Sequence, residues 1–136
     1  MAIAIGYVGT GYSGLQVNPN AKTVEGELLA ALLRAGGVLE TNYAQPERMQ
    51  WQRCSRTDKG VHAVANVISA LVEWSPELVD KWNAELPDKM HVHGMRRVRK
   101  GFNSKNQCDG RVYCFVFPAF LLQPQTDEQL AESRAV

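Results

Sequence analysis

The chain has 136 residues, with 15 Lys and Arg against 14 Asp and Glu and a formal net charge of +1. That length and composition fit one soluble globular domain with a modest core, and the near-neutral charge gives no global attraction to nucleic acid. No apolar run approaches a membrane span, no secretory signal pattern opens the chain, and Cys54, Cys108 and Cys114 are odd in number without Cys-x-x-Cys spacing, so neither a disulfide framework nor a zinc site is indicated.

In chain order, Ala2 to Val8 reads as a strand, followed by a Gly-rich turn and a loop holding Asn18, Pro19 and Asn20. Thr23 is placed to cap a helix whose apolar positions Val24, Leu28, Ala31, Leu32 and Ala35 share one face, and Gly36-Gly37 ends it. A polar stretch from Glu40 to Glu47 leads to a short strand over Met49–Cys54. The loop Ser55–Ala63 follows, then an apolar strand over Val64–Val72. Ser75 as cap and Pro76 at the first helical position predict a second helix with Leu78, Trp82 and Leu86 inward, stopped by Pro87. Met90 to Val98 alternates as a strand with one covered face, and Arg111 to Phe117 is a further β-rich run closed by Pro118. From Gln123 the composition turns polar, with Thr126-Asp127-Glu128-Gln129 able to cap a short helix. The order β-α-β-β-α-β predicts an α+β fold: the split β-α-β, ferredoxin-like antiparallel sheet with two helices on one face.

Three constellations invite chemistry and are set aside. Gly9-Thr10-Gly11-Tyr12-Ser13-Gly14 satisfies the dinucleotide-binding glycine pattern, but Asn18-Pro19-Asn20 intervene where a helix must open and no acid follows at the required distance. His91 and His93 lie two apart on a strand, yet nothing supplies further ligands, so no metal is expected. Cys54 and His62 flank the Ser55–Ala63 loop without any group to orient the imidazole. A basic run of Arg96, Arg97, Arg99, Lys100, Lys105 and Arg111, opposed only by Asp109, is a local footprint for phosphate or a solvated face.

The loop Ser55-Arg56-Thr57-Asp58-Lys59-Gly60-Val61-His62-Ala63 is the most informative stretch. It sets one carboxylate at a rim between two strands, with a cation on either side and a glycine that permits a sharp turn. The nonapeptide resembles the catalytic loop of the TruA family of tRNA pseudouridine synthases. Gly6-Tyr7-Val8-Gly9-Thr10-Gly11-Tyr12-Ser13-Gly14-Leu15-Gln16 is similar to that family's opening strand and turn, and Asn83-Ala84-Glu85-Leu86-Pro87 to its Asn-Ala-x-Leu-Pro segment. Gly101–Asp109 followed by Arg111–Phe115 is similar to the eukaryotic branch, which modifies nuclear and mitochondrial tRNA.

The resemblance implies a tRNA-modifying isomerase that needs no cofactor and no metal, in the nucleus or mitochondrion. It implies Asp58 as the essential catalytic residue and Tyr113 as the aromatic that stacks on the target uracil. Arg56 is expected to fill the space left by an extruded base, and Lys59 and the basic run through Arg111 to grip the tRNA backbone. Tyr12 and the glycine turn are expected to approach RNA. By the same resemblance residues 1–110 are the N-terminal catalytic-loop half and residues 111–136 the start of a second half. The 136 residues alone are then expected to be catalytically silent, and the apolar strand Arg111–Phe117, lacking its neighbours, to promote self-association. The rival reading is a non-catalytic RNA-binding module of similar fold.

Overall fold

In β1 (Ala2–Tyr7) Ile3, Ile5 and Tyr7 are buried and alternate with the small residues Ala2, Ala4 and Gly6. A strand with this period has one face to bury, and here it is the centre of the sheet. The structure, a computed structural model, describes residues 1–122. It contains β3 (Ala63–Ser69) and β4 (Met90–Arg96), which pair antiparallel with the two edges of β1, and the two-residue β2 (Gln52–Arg53), which pairs with β3. The resulting order is β2-β3-β1-β4. Register sets Ile3 beside Ile68 and Ile5 beside Val92, so the buried side chains of three strands share one face.

That face is covered by α1 (Val24–Arg34) and α3 (Leu78–Glu85), whose Leu28, Leu32, Leu78 and Trp82 join Ile3, Ile5, Ile68 and Val92 in one core. The Trp82 indole donates to the Leu28 carbonyl at 3.0 Å, which ties the helices together without leaving a buried donor unpaired. Asn83 clamps the outer edge of β4: its Oδ1 accepts from Val92 N at 2.8 Å and its Nδ2 donates to Val92 O at 2.9 Å. The α+β sheet with helices on one face is thus the architecture expected from the sequence.

Local signals explain α1 well. The Thr23 hydroxyl accepts from Gly26 N at 3.2 Å, and the helix stops where Gly36 N donates to Leu33 O and Gly37 N to Leu32 O. Elsewhere the boundaries are corrected. The second helix starts at Leu78, not at Ser75-Pro76, because the Leu78 amide is taken by the Ser75 carbonyl and no side chain caps the turn. The strand expected over Met49–Cys54 shrinks to Gln52–Arg53, since Pro46–Met49 forms a 3₁₀ turn and Gln50 takes a left-handed φ of 52°. The strand expected over Val64–Val72 runs instead from Ala63 to Ser69, and the polar stretch after Glu40 contains a short α2 (Glu40–Tyr43).

Arg111 to Phe117 forms no strand: the segment is exposed, with Val112 at 99 % and Val116 at 87 % of full exposure. A strand exists only through ladder partners, and among the described residues no strand lies alongside. The helix expected around Thr126–Gln129 lies outside the described residues. No helix among the described residues is long and apolar enough to cross a membrane.

Candidate active site

Two segments far apart in sequence are joined side by side at the mouth of β1. The turn after β1 and the loop between β2 and β3 exchange a series of hydrogen bonds: Leu15 N to Thr57 O at 3.0 Å, Gly60 N to Tyr12 O at 3.3 Å, and Gly9 N to His62 Nδ1 at 3.1 Å. The Tyr7 hydroxyl and Thr57 Oγ1 add a fourth at 2.8 Å. Approach this close excludes side chains at two points. A Cβ on Gly9 would lie 2.1 Å from Val61 O, and one on Gly14 would lie 2.9 Å from Thr57 O at a φ of +96°. The glycine turn therefore serves the loop directly: its bare backbone is the bed on which Thr57–Val61 rests.

An open groove of about 480 Å³ runs between these segments, with Ser13 to Pro19 on one wall and Arg56 to Lys59 on the other. Arg56, Asp58 and Lys59 are all exposed along it. Among the described residues the ion pairs are Lys22–Glu27, Arg34–Glu85 and Arg53–Glu25, and none reaches Asp58. Asp58 thus shares the lining of one groove with Arg56 and Lys59 without an ion pair to either. Solvated charges gain little from pairing, and the local geometry is set instead by the backbone bond from Val61 N to Asp58 O.

Tyr12 does not face the groove. It is 4 % exposed within the core, with the Lys22 ammonium 5.1 Å from its ring centroid. Burial raises its phenol pKa above the ordinary value, Lys22 opposing and Glu27 reinforcing the shift. Its ring anchors the turn from inside.

Arg111 and Tyr113 are brought to the entrance of the loop rather than into the groove. The Arg111 guanidinium donates to the Cys54 carbonyl, and the Tyr113 hydroxyl lies 3.3 Å from Ser55 Oγ. Tyr113 is 73 % exposed, so its ring is open to a stacking partner. Arg96, Arg97, Arg99, Lys100 and Lys105 are exposed as well. The segment carrying Lys105 is fastened to β3 through buried Ser104, whose amide donates to Ser69 Oγ at 3.0 Å.

Sequence reasoning missed three supports. Glu25, 1 % exposed in the first turn of α1, accepts from the Trp51 indole and from Val17 N, each at 3.0 Å, and pairs with Arg53. Asn66 is buried beside Cys54, accepting from its thiol and donating to Ser55 O. His62, weighed only as a partner for a thiol, accepts from Gly9 N. None carries a distinguishing pattern in sequence: an acid in a helix's first turn reads as an exposed dipole partner. His93 is occupied with Val64 O at 2.9 Å, and among the described residues no cluster of three or more His, Cys, Asp or Glu is arranged for a metal.

Comparison with known proteins decides the relationship. The chain matches no protein-family model. It is 39 % identical over 134 residues to tRNA pseudouridine synthase 1 of Yarrowia lipolytica, covering 97 % of this chain and 25 % of that protein. It is 41 % identical over 123 residues to the human pseudouridylate synthase 1 homolog, covering 88 % of this chain and 29 % of that protein. To the tRNA pseudouridine(27/28) synthase of Saccharomyces cerevisiae it is 42 % identical over 118 residues, 87 % of this chain and 32 % of that one. Over most of its own length the chain is thus homologous to part of these pseudouridine synthases. It spans about a quarter to a third of their length.

Proposed function

We propose that the full-length protein isomerises uridine to pseudouridine in tRNA and that this chain carries its catalytic loop. The observation that carries the reading is the exposed Asp58 carboxylate on a loop held by three hydrogen bonds to a glycine turn and a fourth to Tyr7 of β1, in a chain similar over nearly its whole length to proteins named for that reaction. The reaction breaks the bond from the anomeric carbon to N1, forms one to C5, and moves a proton from C5 to N1, so neither redox cofactor nor metal is required by its balance. Asp58 serves it as a carboxylate near the ribose, attacking the anomeric carbon or the ring, or taking a ribose proton to give a glycal.

A uridine inside a stem must first leave the stack, at a cost of a few kcal/mol. Arg56, exposed on the same wall as Asp58, is assigned to the vacated space, where its planar fork also reaches phosphate. Tyr113 stacks on the extruded base, a contact worth ~1–3 kcal/mol, which offsets much of that cost. Lys59, Arg111 and the exposed run from Arg96 to Lys105 hold the backbone by shape and charge. Residues 111–136 begin the second half of the protein, and the nucleus or mitochondrion is its place of work.

The rival reading, a non-catalytic RNA-binding module, is separated by one variant. In the full-length protein Asp58→Asn is expected to reduce pseudouridine formation on unmodified tRNA below detection, while the tRNA dissociation constant stays within about threefold of wild type. Turnover by the Asn variant would remove Asp58 from the chemistry. A wild-type protein that binds tRNA but forms no pseudouridine would favour the binding module.

A further inference from the structure

The two walls of the Asp58 groove converge on one buried carboxylate outside it. Glu25 Oε2 accepts from the backbone amide of Val17, which lines the first wall. Glu25 Oε1 accepts from the Trp51 indole and pairs with Arg53, on either side of Gln52 at the start of β2. Two residues further on, Ser55 leads into the second wall, Arg56 to Lys59. The backbone of α1 reinforces the same junction, with Val24 N donating to Gly14 O and Glu25 N to Leu15 O.

A carboxylate that is 1 % exposed must have its oxygens satisfied, and each partner it has belongs to a segment that enters the groove. Its chemistry does not explain this location as helix capping, because Thr23 already serves as the cap. We propose that Glu25 is a positioning residue that fixes the spacing between the Val17 wall and the Asp58 wall. It touches no substrate. Its effect on turnover rests on the isomerase reading above; its effect on the geometry of the groove does not.

Two measurements separate these. In the first, amide and indole hydrogen exchange is followed by NMR in the chain itself and in Glu25→Gln, which keeps the shape of the side chain but removes its charge. The Val17 amide and the Trp51 indole are expected to lose protection together, and the amide resonances of Arg56 to Lys59 to shift. Unchanged Val17 exchange, or a loop that does not respond, would overturn the proposal. If Glu25→Gln does not fold, Arg53→Met, which removes one partner from the partly exposed side, is expected to move the same resonances by a smaller amount, and silence there would equally overturn it.

In the second, the full-length protein bearing Glu25→Gln is assayed on unmodified tRNA. Turnover is expected to fall about 10- to 100-fold while KM for tRNA changes by less than about threefold, because the reacting groups are misplaced without loss of the binding surface. A loss confined to KM would overturn the positioning role. Absence of pseudouridine from the wild-type protein would instead overturn the isomerase reading and leave the exchange result to decide the role of Glu25.

Discussion

The loop Arg56–Gly60 and the segment Arg111–Phe117 are both largely exposed, yet they are held in opposite ways. The loop presents its charges to solvent, but it is fastened to the glycine turn by Leu15–Thr57, Tyr12–Gly60 and Gly9–His62 hydrogen bonds and to the end of β1 by the Tyr7–Thr57 hydroxyl pair. The segment presents apolar side chains, and among the described residues its side-chain hydrogen bonds to the body are Arg111 to the Cys54 carbonyl and Tyr113 to Ser55. Exposure alone thus says little about function. An exposed polar tip on a rigid bed is a prepared site; exposed apolar side chains on a thinly held segment are a surface awaiting a neighbour.

The comparison breaks most sharply at Gly9. A methyl there would sit 2.1 Å from Val61 O, a backbone atom that cannot swing aside. Gly9→Ala must therefore part the turn from the loop or distort both. We expect it to destabilise the chain by about 1–3 kcal/mol or more, with chemical denaturation as the measurement. The same methyl at Gly110, where nothing lies within 4 Å, is expected to change stability by less than about 0.5 kcal/mol. Equal effects at the two positions would show that the turn does not bear on the loop as described.

Much of this architecture is legible in the sequence, and the reason differs by element. The strand β1, the helix α1 with its Thr23 cap and its Gly36-Gly37 stop, and the β-α-β-β-α-β order follow from periodicity and local chemistry. Arg56, Asp58 and Lys59 can be singled out because they sit in one contiguous motif, and they do line one groove. Ionic pairing around Asp58, the orientation of Tyr12 and the extent of β2 depend on which backbone groups find partners across the fold, which no local window contains. Glu25 is the clearest case. Its partners Val17, Trp51 and Arg53 lie 8 to 28 positions away in sequence, and only the fold makes them neighbours. The expected strand Arg111–Phe117 fails for the complementary reason: its composition favours β structure, but a ladder needs a second strand.

A milder test of the fastened loop uses the Tyr7–Thr57 hydroxyl pair. Tyr7 is buried at the end of β1, and removing its oxygen leaves the ring and its packing in place. Tyr7→Phe is expected to cost about 1 kcal/mol, the worth of one partly buried hydrogen bond. Because the bond reaches Thr57, next to Asp58, hydrogen exchange at Asp58 and Lys59 is expected to quicken while exchange in α3 stays unchanged. A uniform change across the chain would mean that the pair supports the core and not the loop.

The smallest effect on stability, paired with a distinct effect on association, is expected in the other region. Val112, Phe115 and Val116 are almost fully exposed, and the rings of Phe115 and Phe117 lean on each other with centroids 5.8 Å apart. Substituting Phe115→Ser and Val116→Ser removes no core contact, so the free energy of unfolding is expected to shift by less than about 0.5 kcal/mol. Exposed apolar side chains on a β-prone segment with no ladder partner among the described residues favour pairing with a second such segment, so the wild-type chain is expected to self-associate with rising concentration in sedimentation experiments. The double variant is expected to remain monomeric under the same conditions. A wild-type chain that stays monomeric throughout would show that two contacts, at Cys54 and Ser55, suffice to keep the segment from a partner. A double variant that associates as wild type does would move the interface elsewhere, and the edge of β2 beside Gln52 and Arg53 would then be the place to mutate next.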